Sequence, residues 1–170
     1  MTVFVALLRA VNVGGTGKLP MTELKAMCEA AGFAAVQTYI ASGNVVFESS
    51  APEAVVKRIL EDSLRNYAGK PVGVLVRTGA EISDVLASNP FPEAPGNRTV
   101  AILLDEPPSA DALKAMVGQA DEKVGLGKRE IYVWYGEGMA NSKLRIPAAK
   151  AGTARNMNTV AKLAALASGR

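Results

Sequence analysis

The first run of the chain, Val3 to Leu8, is the longest uninterrupted apolar stretch, and its Val, Phe and Leu content predicts a strand over Thr2 to Leu8. Asn12 to Lys18 follows as a glycine-rich loop. Pro20 to Ala31 predicts a helix, because Leu24, Met27, Cys28 and Ala31 share one face, proline stands near the start and Gly32 ends it. Ala35 to Ile40 and Asn44 to Glu48 read as short strands around a Ser42-Gly43 turn. Val56, Ile59, Leu60 and Leu64 fall on one stripe of a second helix, Pro52 to Tyr67, and Val72 to Arg77 closes the series as a strand. The order βαββαβ is that of the ferredoxin-like, or split βαβ, unit.

A short helix over Glu81 to Ser88 leads into Asn89-Pro90-Phe91-Pro92-Glu93-Ala94-Pro95-Gly96, whose prolines and glycine mark a linker. The rhythm then repeats. Thr99 to Leu104 predicts a strand, Ser109 to Gln119 a helix, Lys123 to Leu126 a weak strand and Glu130 to Tyr135 a strong one. Ser142 to Lys150 reads as helical despite Pro147, and Asn156 to Ala167 as a helix with Val160, Leu163, Ala164 and Ala167 on one face. The expected fold is α+β: a ferredoxin-like half with a trailing helix over residues 1–88, a Pro-rich linker over 89–97, and a second, degenerate ferredoxin-like half with a C-terminal helix over 98–170.

A sheet with helices on one side should alternate apolar and polar residues along each strand. Val3 to Leu8 and Val100 to Leu104 are apolar on both faces instead. Such faces need a cover. The other half of the chain or a second copy, hence a homodimer, would supply it.

Composition narrows the chemistry. The chain of 170 residues is 49% hydrophobic and 21% charged, within the globular range. No apolar run approaches the length of a membrane span, and the N-terminus lacks the pattern of a secretory signal, so a cytoplasmic protein with no membrane partner is expected. Cys28 stands alone among Leu24, Met27 and Ala31, as a core hydrophobe would; no disulfide or paired-cysteine motif exists. There are no histidines, which excludes a Ser-His-Asp triad, a Cys-His pair and a histidine metal site or proton shuttle. No cofactor or metal is called for. Net charge is only +3, but after Glu137 no acidic residue follows, while Lys143, Arg145, Lys150, Arg155, Lys162 and Arg170 do. That segment suits an anionic partner or simply a solvated basic terminus.

Asn12-Val13-Gly14-Gly15-Thr16-Gly17-Lys18 fails the phosphate-loop pattern, having Asn12 where glycine and Leu19 where Ser or Thr belongs. It also fails the dinucleotide fingerprint, with Pro20 at the third glycine. A looser role remains: glycine backbone N–H groups and Lys18 ahead of a helix can receive an anion. In a βαββαβ unit the first two strands run parallel, so the exit of the first and the turn after the second emerge at one edge. This places Arg9, Asn12, Gly14, Gly15 and Lys18 beside Tyr39, Ser42 and Asn44, a polar patch. The structural alternative is that Asn12 and Asn44 satisfy turn backbone groups. A second candidate is Gly152 to Thr159, where Asn156 would cap the last helix and Arg155, Asn158 and Lys162 would surround its positive end; capping alone also explains Asn156. Ser142-Lys143 is weaker, since neighbours on a helix point apart and make no Ser-Lys dyad. An RNA-recognition module shares the element order, but Asn44-Val45-Val46-Phe47 lacks its aromatic platform.

The chain resembles a bacterial family known as a domain of unknown function, the DUF1697 family. The resemblance rests on Ala6 to Gly15, on Thr38 to Phe47, on Ser142-Lys143-Leu144 and on Thr153 to Val160. Ala10 stands where the family often has Gly, and Met157 where it often has Trp, which removes a stacking ring from that position. The resemblance implies a tandem ferredoxin-like fold in the cytoplasm and no established activity. The leading expectation is a protein that binds an anionic ligand: a nucleotide, another phosphate-bearing small molecule or nucleic acid. Its rivals are a transferase using Lys18 or Ser42 and an interaction module; the fold hosts all three.

Overall fold

The computed structural model describes residues 1–9, 18–136, 139 and 141–170, so Asn12, Gly14 and Gly15 lie outside the described residues. The chain runs β1 (Thr2–Leu8), α1 (Met21–Ala30), β2 (Ala34–Thr38), β3 (Asn44–Ser49), α2 (Glu53–Ala68), β4 (Val74–Thr78), α3 (Gly79–Ala87), then β5 (Thr99–Leu103), β6 (Lys123–Leu126), β7 (Glu130–Trp134), β8 (Thr153–Asn156) and α4 (Met157–Ser168). The strands make two four-stranded sheets, β2-β3-β1-β4 and β6-β7-β5-β8, with every neighbour antiparallel. The protein is therefore α+β.

By compactness the chain divides into residues Met1–Ile82 with Leu163–Arg170, and Ser83–Lys162. In the first unit α1 and α2 each start after an extended proline, Pro20 and Pro52, with no side-chain cap. Proline fixes the entry φ. Gly69, at φ +73, ends α2 and donates its N–H to Arg65 O, the left-handed stop that glycine makes without steric cost. Phe4, Ala6 and Leu8 of β1 pack with Val45 and Phe47 of β3 and Val74 and Val76 of β4 beneath Leu24 and Cys28 of α1 and Val56, Leu60 and Leu64 of α2. Phe33 stacks on Phe47 with ring centroids 4.4 Å apart.

The opposite face of this sheet is buried as well: Val5, Leu7, Val46 and Leu75 are at most 2% exposed. The last turns of α4 reach it, since a Cβ on Gly79 would lie 3.0 Å from Ala167 Cβ and 3.6 Å from Val3 Cγ1. This burial occurs within a single chain, so the two-faced apolar strand needs no second copy. At the edge, β2 carries a bulge between Ala34 and Gln37, with Ala35 at φ +51. There Arg170 donates to Val46 O at 3.2 Å and pairs with Glu48 at 3.2 Å.

In the second unit Val100, Ile102 and Leu104 pack with Ile131 and Val133. The Pro-rich segment lies against its sheet: a Cβ on Gly125 would meet Pro90 Cγ at 3.0 Å. Phe91 follows, its ring 6.0 Å from Trp134, whose other neighbour is Lys123 Nζ at 5.1 Å.

Three sequence expectations are corrected here. Ser109 to Gln119 forms no helix but a string of turns, with Ala112 N–H donating to Ser109 O, Lys114 to Asp111 O and Met116 to Leu113 O. The helical period loses because Val117 is drawn into an antiparallel bridge with Arg145, exchanging both backbone hydrogen bonds at 3.0 and 2.8 Å. Ser142 to Lys150 holds only a short 3-10 turn, Pro147–Ala149, because the same bridge extends Arg145 and Pro147 offers no N–H. Thr153–Asn156, where the sequence predicts no strand and begins the last helix at Asn156, is a strand paired with β5.

Candidate functional site

One end of the first sheet brings the exit of β1 at Arg9 next to the turn that carries Tyr39, Ser42 and Asn44. Leu7 faces Asn44 across the β1–β3 pair, and Leu8 faces Val74 across β1–β4. Beyond the ladder, Leu8 N–H donates to Gly43 O at 2.8 Å and Arg9 N–H to Gly73 O at 2.9 Å. The exit of β1, the β2–β3 turn and the entry to β4 thus lie side by side. Arg9 is exposed, and a Cβ on Gly73 would lie 3.4 Å from its Cβ and Cδ.

The turn is built around Asn44. Its side chain is fully buried, and its Nδ2 donates to Tyr39 O at 2.9 Å and to Ser42 Oγ at 3.0 Å. Tyr39 N–H returns a bond to Asn44 O at 2.9 Å, and Gly43 N–H closes the turn on Ile40 O at 3.3 Å. Gly43 sits at φ +91, which glycine tolerates; Ile40 sits at φ +52, which a β-branched residue does not adopt readily, and its side chain is 47% exposed. Tyr39 and Ser42 are half-buried.

The charge at this end is one-sided. α1 runs back to β2 through a tight turn, so its start, with exposed Lys18 just ahead of it, lies at the end where β2 finishes. α2 finishes there too and enters β4 through residues 69–73, bringing exposed Arg65 and Lys70. Residues 9, 18–24, 39–43 and 65–73 carry the cations Arg9, Lys18, Arg65 and Lys70 and one carboxylate, Glu23.

The second candidate is arranged differently from its sequence reading. Asn156 Oδ1 does accept the Thr159 N–H at 2.9 Å and caps α4. Arg155, however, points into the sheet: it is 7% exposed, and its Nη1 donates to Thr153 Oγ1 at 2.8 Å and Ala154 O at 3.0 Å. Burial pulls its pKa down to about 10. Asn158 is exposed and packs its amide against the backbone of Gly96, and Lys162 is exposed one turn along. The helix end therefore gathers Asn156 and Asn158, without Arg155.

Ser142 donates its hydroxyl to Glu122 Oε2 and accepts the Leu144 N–H at 3.2 Å, while Ala120 N–H donates to Glu122 Oε1 at 2.6 Å. The Ser142 hydroxyl first, then these backbone donors, hold the Glu122 carboxyl below its ordinary value. This cluster stitches the Val117–Arg145 region together, and Lys143 stands exposed beside it. Sequence reasoning missed Glu122, which reads as part of a solvated Asp-Glu-Lys run, and Arg77, which is 1% exposed on β4 and donates to Val76 O at 3.1 Å. Nothing in the local pattern distinguishes these side chains from surface charges.

Among the described residues, no three His, Cys, Asp or Glu side chains come together as metal ligands, and no helix is long and apolar enough to cross a membrane. No curated protein matches the chain. A solved structure of a conserved bacterial protein from Streptococcus pneumoniae is similar over 99% of this chain and 99% of its own, with 23% identity and a TM-score of 0.82, a likeness of fold. A family model described as a protein of unknown function, DUF1697, matches residues 1–132. The chain belongs to the DUF1697 family.

Proposed function

We propose that this protein is a cytoplasmic, tandem ferredoxin-like binding protein for an anionic, phosphate-bearing ligand, held at the end of the first sheet. The observation that supports the reading is the 2.8 Å bond from Leu8 N–H to Gly43 O, which sets the exit of β1 beside the Ser42 turn, with exposed Lys18, Arg65 and Lys70 on the connections that enter and leave the helices at that end. Four cations against one carboxylate make a local positive potential that draws anions. The shared strand order of the two sheets supports the tandem assignment, and the single buried thiol suits a reducing compartment. Asn12, Gly14 and Gly15 belong to this proposal on sequence grounds, as backbone donors following Arg9.

Titration calorimetry with inorganic phosphate and pyrophosphate tests it. Binding that weakens with salt, and that falls about tenfold in Arg9→Ala, is expected for a lost charge-assisted contact. Arg155→Ala, by contrast, should lower stability while leaving that affinity in place. Indifference to both anions, with Arg9→Ala melting like the parent in every buffer, refutes the proposal.

A further inference from the structure

A glycine stands just ahead of β4 where the backbone does not call for one. Gly73 lies outside the left-handed region that favours glycine, and an extended entry to a strand is better served by a residue with a side chain. The space beside it explains the choice. Among the described residues, and apart from its chain neighbours, a Cβ on Gly73 would meet only Arg9 within 4 Å, with Arg9 Cβ and Cδ both at 3.4 Å. The 2.9 Å bond from Arg9 N–H to Gly73 O sets the two residues opposite each other where the ladder of β1 and β4 ends. A Cδ as near as the Cβ means that the arginine stem does not stand away from the sheet. It lies down beside Gly73, toward β4 and away from the Ser42 turn on the β3 side. The residue nonetheless stays exposed, as an arginine does when its stem packs and its charged head remains in water.

We propose that Gly73 is the positioning residue of the anion site: lacking a side chain, it lets Arg9 lie flat and so presents the guanidinium at the entry to β4. The proposal rests on the anion reading above and adds what orients its first cation. An arginine already settled along its stem loses less freedom when it grips an oxyanion, a difference of about three- to tenfold in affinity. Gly73→Ala brings a methyl group to ordinary contact distance and leaves the stem in place. Gly73→Val adds two further methyl groups in the volume the stem occupies, so Arg9 has to swing out.

The test is titration calorimetry with pyrophosphate on the full chain, comparing the parent with Gly73→Ala, Gly73→Val, Arg9→Ala and the double variant. Gly73→Val should melt at the parent temperature or above it, since it loses the freedom of an unfolded glycine. Its affinity should nevertheless fall about three- to tenfold, while Gly73→Ala binds as the parent does. On the Arg9→Ala background, Gly73→Val should weaken binding no further, because it acts through the arginine alone. Unchanged affinity in Gly73→Val, or the same loss with and without Arg9, overturns the proposal and leaves the anion reading standing so long as Arg9→Ala alone weakens binding. If Gly73→Val proves unstable, the double variant should regain its melting temperature, because only Arg9 is in the way; an unstable double variant also overturns the proposal. If the parent does not bind pyrophosphate, the anion reading falls and takes the proposal with it.

Discussion

Replacing Asn44 with alanine separates the two roles its position allows. In the folded protein its amide donates at 2.9 Å to Tyr39 O and at 3.0 Å to Ser42 Oγ, with the residue 0% exposed. Each neutral hydrogen bond is worth about 1 kcal/mol net, and leaving a buried carbonyl without its donor raises the cost, so Asn44→Ala should lose about 2–3 kcal/mol. In a chain of this size that is a fall in Tm of about 4–12 °C. Urea unfolding followed by far-UV circular dichroism measures it in the absence of any ligand. Asn44→Asp sharpens the argument. The introduced carboxylate keeps the shape but presents acceptors to Tyr39 O, so burial holds its pKa above the unfolded value. The native state then takes up the proton first, and the variant's deficit relative to the parent should shrink as pH falls from 7 through that pKa. A loss below about 0.5 kcal/mol in ligand-free Asn44→Ala would show that the turn does not depend on this amide, and the structural account of Asn44 would be wrong.

Cys28 is pushed up to about 12, by burial first and then by Glu29. Its raised pKa contributes stability that is complete below the unfolded thiol pKa and is lost as pH climbs toward 12. Cys28→Ala should therefore lessen the decline in stability above pH 9 by up to about 1.4 kcal/mol per pH unit, and the native thiol should resist a disulfide reagent at pH 8 until urea is added. A fast native reaction would contradict its burial. Gly125→Val would drive a side chain into Pro90, 3.0 Å from the glycine's Cβ direction, and lift Phe91 from Trp134. Since Trp134 is the chain's single tryptophan, its emission should shift to the red, with a cost of about 1–3 kcal/mol; unchanged emission would mean the proline segment is not seated there.

Much of the fold was legible because its strongest strands are compositionally loud. Val3 to Leu8, Val45 to Phe47 and Glu130 to Trp134 carry the β-branched and aromatic residues that only a buried sheet rewards, and α2 shows a clear apolar stripe. Thr153–Asn156 was silent: an arginine and an asparagine in four residues look like a loop, and only pairing with β5 makes them a strand. Ser109 to Gln119 misled in the opposite direction, since its period is helical while the partner that unwinds it, Arg145, lies far along the chain. At the candidate site, topology alone predicts that the exit of β1 meets the Ser42 turn. The backbone of Ile40 was beyond sequence reasoning, because isoleucine argues for an ordinary extended residue and not a left-handed one.

The bulge at Ala35 has a consequence for how the protein keeps to itself. β2 is an outer strand of its sheet, and a straight outer strand offers its unsatisfied backbone to any other chain in solution. The irregular step between Ala34 and Gln37 breaks that template, and the Arg170 guanidinium occupies the carbonyl of Val46 beside it. Deleting Ala35 to restore an even ladder would improve the local pairing and leave a smooth, adhesive rim, so that precipitation under crowded conditions, and not unfolding, would be the cost of repairing the irregularity.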